Sequence, residues 1–280
     1  MRRSLALFLL FSCARAHGDP RSPYDDHVAA LKKQLAVHKL DLVVGIEEPF
    51  VVIGDKRTLA HNAQTVRWAR EHLEADFFTH RPDRIIDIYL FDDADSYTHG
   101  VVTLTGDAPT TPYGFYSPER GAMFMNIGTG GGTLVHEIVH PYVEADFPDA
   151  PAWLNEGLGS LFEQSAEREG HIVGLTNWRL AGLKGALSRG EVPSFDKLAH
   201  MSDTTFYADE RGIHYAASRY LLYYLQEKGL LRSFYTTARG VRKRDPSGYA
   251  TLVKTLGERD MAAFQKRWQV FVGTLQFGDD

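Results

Sequence analysis

The sequence predicts an α+β fold, with a small mixed sheet and its helices followed by a helical C-terminal half. Three observations carry this expectation. The first part of the chain alternates short β-rich runs with long apolar-periodic segments. The text beyond residue 156 repeats its apolar residues near the 3.6 period. Between the two lies a Gly-rich stretch leading into a H-E-x-x-H pentapeptide, a place where α+β chains form clefts. With 280 residues, 44% of them hydrophobic, the chain can bury one large core or two modest ones.

Residues 1–16 read as a signal peptide. Arg2 and Arg3 supply the charged start, Leu5 to Phe11 the short apolar run, and Ala14-Arg15-Ala16 the small-residue cleavage site, so the mature chain would begin at His17. The apolar run is too short to span a bilayer. A competing reading takes Leu10-Phe11-Ser12-Cys13 as a lipobox that would tie the protein to a membrane through a lipidated Cys13. Phe11 is bulky for that motif, and plain export to the periplasm or exterior is the preferred expectation. Cys13 is the only cysteine, so no intramolecular disulfide can form, and neither a thiolate ligand nor a thiol nucleophile is expected in the mature protein.

Along residues 17–132, residues 26–38 have the pattern of a helix, 50–54 of a strand, 58–77 of a helix and 84–91 of a second strand. Asp92-Asp93-Ala94-Asp95 reads as a turn. Residues 114–116 and 122–127 flank Ser117-Pro118-Glu119-Arg120-Gly121 as a hairpin. In residues 133–280 the motif helix comes first, with Thr133 as its expected cap, followed by helices over 156–167, 177–188, 212–228 and 260–275. Net charge is −5 and no basic patch dominates, which argues against a nucleic-acid partner; Arg242-Lys243-Arg244 reads as a solvated loop.

His136-Glu137-Ile138-Val139-His140 places two imidazoles at i and i+4, on one helical face, where both rings can bind one metal ion. Glu137 lies beside that face, within reach of a water at the metal. A carboxylate from a second helix, Glu156 in Trp153-Leu154-Asn155-Glu156-Gly157, completes a His2Glu set with an open fourth position, the donor set of a catalytic Zn2+. Gly157 and Gly159 would let that second helix approach closely, with Trp153 and Leu154 as packing residues that place Glu156. His61, His72, His80 and His200 lack ligand spacing and read as surface residues.

These residues resemble the gluzincin metallopeptidases, the peptidase MA-like group that includes thermolysin and the zinc aminopeptidases. The resemblance covers residues 120–165 and implies His136, His140 and Glu156 as zinc ligands and Glu137 as general base. Two departures stand out. The segment 141–155 is shorter than its counterpart in those enzymes. Ser160 stands where thermolysin-like enzymes carry an Asp that orients a ligand histidine, leaving a hydroxyl in place of a charge. Ala122-Met123-Phe124-Met125-Asn126 resembles the G-A-M-E-N stretch of zinc aminopeptidases. It implies an edge strand that binds extended substrate around Met125 and Asn126, without the Glu that holds a free amino terminus.

Hydrolysis at such a site needs a donor for the developing oxyanion. Tyr215, opening the helix after Gly212, is one candidate and His214 the other; tyrosine at a similar distance past the ligand Glu is what the related aminopeptidases imply. Core packing is the rival reading of Tyr215. Arg219 could meet a substrate carboxylate or pair with an acid. The expectation is therefore an exported zinc-dependent peptidase acting on a peptide or protein. Its alternatives are a catalytically silent zinc-binding scaffold and a zinc hydrolase of a non-peptide amide.

Overall fold

The computed structural model describes residues 22–278. The expected signal peptide, Cys13 and the His17 start lie outside the described residues. The expectation of an α+β fold with a mixed sheet holds.

Helix α1 (Pro23–Val37) starts from a capping box: Ser22 Oγ accepts from the Tyr24 backbone, and Asp25 returns a bond to the Ser22 N–H. A hairpin follows, β1 (Val43–Glu47) and β2 (Phe50–Gly54). Then come α2 (Leu59–Asp76), β3 (Ile86–Phe91), α3 (Ala94–Thr105), β4 (Gly114–Ser117) and β5 (Ala122–Asn126). The five strands form one sheet in the order β1-β2-β3-β5-β4, with β2, β3 and β5 mutually parallel and the two outer strands antiparallel.

Side chains alternate across this sheet, as the pleat requires. Val51, Ile53, Tyr89 and Phe124 face one side, where Leu31 and Leu35 of α1 and Tyr97 and Val101 of α3 cover them. Phe50, Val52, Ile88, Met123 and Met125 face the other side and meet α2 and the motif helix α4 (Gly132–Asp146) through Val66, Leu73, Leu134 and Ile138.

The second apolar cluster does not stop there. It continues through α5 (Ala152–Phe162) and the hairpin β6 (Ser165–Arg168) and β7 (His171–Gly174), and on into the C-terminal helices. These are α6 (Arg179–Ser188), α7 (Phe195–Ala199), α8 (Asp203–Tyr207), α9 (Ile213–Glu227), α10 (Leu231–Val241), α11 (Tyr249–Leu256) and α12 (Met261–Thr274). Helices α5 and α9 cross so closely that a Cβ at Gly157 would come within 2.9 Å of Leu222. Gly157 therefore permits the approach expected of it. Among the described residues no helix is long and apolar enough to cross a membrane.

Several local expectations are corrected. Residues 92–95 do not merely turn: Asp93 caps α3, its carboxylate accepting from Ser96 N at 2.8 Å. The acidic run is a helix start. Thr133 lies inside α4, whose N-terminus at Gly131 has no side-chain cap bond. Helix α5 begins at Ala152 and ends at Phe162, so Glu156 sits in its second turn and the β6–β7 hairpin replaces the expected last turn. Strand β5 is interior, flanked by β3 and β4, and the free edge belongs to β4. The sequence reading passed over β1 and helices α7, α8, α10 and α11.

Candidate metal centre

Helix α4 carries the motif on a wall of the cleft. Leu134, Val135, Ile138 and Val139 anchor it in the core, which turns His136, Glu137 and His140 toward the opening. Pro141 follows at once. It lacks an N–H, so the Glu137 carbonyl loses its usual helical donor beside the motif. The two imidazole rings stand 5.0 Å apart between centroids at 73°.

Helix α5 brings Glu156 across. Its Oε2 lies 3.2 Å from His136 Nε2 and 3.8 Å from His140 Nε2. Donor atoms of His136, His140 and Glu156 all lie within 4.8 Å of one another. An ion bonded at about 2.0–2.1 Å spaces tetrahedral donors roughly 3.4 Å apart, and the measured separations bracket that value. The sequence-predicted ligand set is thus brought together and can hold a metal ion. Gly159 makes room for this fit: a Cβ there would stand 3.0 Å from His136 Nε2 and crowd the ring.

His136 and Glu156 are buried and His140 is half-buried. Burial disfavours the charged form of Glu156, but the adjacent His140 and the hydrogen bond from His136 outweigh it and hold the carboxyl well below its ordinary range. A carboxylate facing two imidazoles is the charge arrangement a divalent cation needs.

Orienting contacts come from neighbours of the ligands. His140 Nδ1 donates to Asn155 Oδ1 at 3.0 Å, which directs Nε2 toward Glu156. Ser160 is fully buried with an Oγ that makes no hydrogen bond, so it does not orient a histidine. The side chain that holds His140 is instead Asn155, which immediately precedes Glu156. Glu156 Oε1 accepts from the Tyr207 hydroxyl at 2.9 Å. Glu137 Oε2 accepts from the Tyr116 backbone N–H at 3.0 Å and lies 3.9 Å from His140 Nε2.

These groups open into a cleft of about 1300 Å³. One wall is the outer edge of β4. Asn126 N donates to Tyr113 O at 2.8 Å, so the pairing phase turns the Gly114 and Tyr116 backbone groups away from β5 and toward the cleft. The Tyr116 hydroxyl donates to Glu144 Oε2 at 2.9 Å and accepts from Arg84 at 2.6 Å, fixing the strand to α4. Tyr215 and Arg179 also line the cleft. The Arg179 guanidinium pairs with Glu163 at 2.9 Å and lies over the Trp178 ring at 4.3 Å.

Other expected site residues fall elsewhere. His214 does not line the cleft; its Nδ1 lies 3.0 Å from the Phe206 carbonyl oxygen. Met125 is buried in the sheet, and Asn126 is spent on its own loop, donating to Pro112 O and accepting from Gly128 N. Neither reaches the cleft, because β5 is not the edge. Arg219 meets no acid and no opening: it is fully buried and donates to the Ser160 and Leu175 carbonyls. Trp153 and Leu154 are core residues as expected, and Trp153 Nε1 donates to Ser247 O at 2.8 Å. His61, His80 and His200 are exposed, while His72 is half-buried against Trp68.

Sequence reasoning missed Asn155, Tyr116 and Tyr207. Asn155 had a signal, its place beside Glu156. Tyr116 acts through its backbone, and Tyr207 sits on a single-turn helix with no period to read. No protein-family model matches the chain, and no curated protein matches it.

Proposed function

We propose that this protein is an exported zinc-dependent peptidase of gluzincin-like design. One observation carries the reading: Glu137 stands beside a His2Glu donor set in a cleft bordered by the free edge of β4. Two imidazoles and one carboxylate suit Zn2+, and three protein donors leave a position open for substrate. When bound there, zinc supplies Lewis acidity to the scissile carbonyl and lowers the pKa of water toward neutrality.

The chain's own groups do the rest. Glu137 takes the proton of the attacking water and delivers it to the leaving amine. The Tyr116 N–H holds Glu137 Oε2 3.9 Å from His140 Nε2, and so fixes the carboxylate beside the ion site. Tyr215 lines the cleft across from Glu137 and offers its hydroxyl to the developing oxyanion; burial, first of all, and the nearby Glu156 push its pKa up, which keeps it a proton-bearing donor at neutral pH. An extended peptide pairs with the free backbone groups of Gly114 and with the Tyr116 carbonyl. The half-exposed Tyr113, Trp178 and Tyr207 around the cleft give apolar side chains somewhere to pack.

The test is Glu137→Gln, which keeps the shape and removes the base. Zinc content is expected to stay near one per chain while cleavage of a peptide library slows roughly a hundredfold or more. Unchanged cleavage would place the chemistry elsewhere.

A further inference from the structure

The two oxygens of Glu156 have different surroundings. Oε2 faces both imidazoles, at 3.2 Å and 3.8 Å. Oε1 faces away from them and accepts the Tyr207 hydroxyl at 2.9 Å. A carboxylate with both oxygens free can chelate an ion through the pair; one with an oxygen committed to a hydroxyl has a single oxygen left to offer. We infer that Tyr207 is a positioning residue that holds Glu156 to one-oxygen ligation, and so keeps a coordination position free for substrate. The inference rests on the zinc reading of the His136, His140 and Glu156 group.

The support of Tyr207 suits that role. Helix α8 is one turn long, capped by Ser202 Oγ accepting from Thr205 N at 3.2 Å. Phe206 is fully buried and fastens the turn to the core. Its neighbour Tyr207 is thereby held at the rim, 51% exposed, with its ring 5.5 Å from that of Phe206 and its hydroxyl reaching down to Glu156. The ring of Tyr207 also borders Tyr215, at 6.4 Å between centroids. Asn155 plays the matching part for His140, so two of the three donors are oriented by side chains that offer no bond to the ion themselves.

Tyr207→Phe removes the hydroxyl alone, and the half-exposed ring keeps its seat on Phe206. Zinc affinity is measured by competition with a chromophoric chelator, and the visible spectrum is recorded after loading the apoprotein with Co2+. Zinc is expected to bind roughly ten to a hundred times more weakly in the variant, the scale of lost orienting contacts. The Co2+ absorption is expected to weaken toward five-coordinate intensity as Oε1 becomes free. Thermal melting of both apoproteins checks that the variant folds. Equal zinc affinity and an unchanged Co2+ spectrum in a folded Tyr207→Phe protein would overturn the inference and leave the zinc reading standing. A wild-type chain that binds no zinc would overturn both.

Discussion

Charge on the substrate oxygen exists only in the transition state, so its donor is recognised by what it does to turnover. Tyr215 lines the cleft, whereas His214 has its ring nitrogen against the Phe206 carbonyl. Tyr215→Phe is therefore expected to lower kcat roughly a hundredfold or more with little change in KM, and His214→Ala to change kcat little. Steady-state kinetics on the best library peptide decides the point; full activity in the tyrosine variant with loss in the histidine variant would reverse the roles. At this scale the sequence was informative where residues act through spacing. His136, His140 and Glu156 converge as their pattern implied, since i and i+4 is fixed by helix geometry. Asn126 and Arg219 carry groups fit for a site, but the fold spends them on backbone partners.

The motif helix depends on how α4 is held at its far end. Asp146, its last residue, has a fully buried carboxylate that accepts from Thr79 N at 3.2 Å, His80 N at 3.1 Å, the Tyr235 hydroxyl at 3.0 Å and Arg239 at 2.6 Å. It joins α4 to the loop after α2 and to α10. Burial raises its pKa, but bonds from Arg239, His80, Thr79 and Tyr235 prevail and bring it down to about 2. An unfolded Asp titrates near 4, so the native state favours the ionised form. That stability is complete above about pH 4 and is lost as pH falls from there toward 2. Asp146→Asn is expected to cost roughly 2–3 kcal/mol at pH 7 and far less at pH 2, read from urea unfolding at both pH values. Equal stability at pH 7 would show that the anchor contributes nothing. Elements with long periods, such as α2, α9 and α12, were legible to within a few residues. The single-turn helices α7 and α8 and the four-residue strands β6 and β7 were not, because such pieces take their shape from what they pack against.

The ligands come from α4 and α5, and both helices belong to the apolar cluster that runs from the sheet to α12. A metal ion held there would link its binding to global folding, since an unfolded chain holds no site. A zinc concentration about a thousandfold above Kd would add roughly 4 kcal/mol to stability. Chelation is expected to lower Tm by about 10 °C in one cooperative transition. Calorimetry with and without EDTA measures it, and a Tm indifferent to chelator would contradict the centre.

The sequence by itself determined the α+β class, the order of the major helices, the hairpin of β4 and β5, and the convergence of two histidines and a glutamate. Each of these follows from local periodicity or from spacing along one helix. Tertiary structure decided which strand is the edge, which residue orients His140, which tyrosines reach the cleft and where Arg219 lies. Those outcomes depend on which groups remain unpaired after the elements dock, a quantity that no stretch of the chain contains on its own. Strand β5 shows the reason: its sequence suits an edge or an interior strand equally, and it became interior because β4 folded back to pair with it.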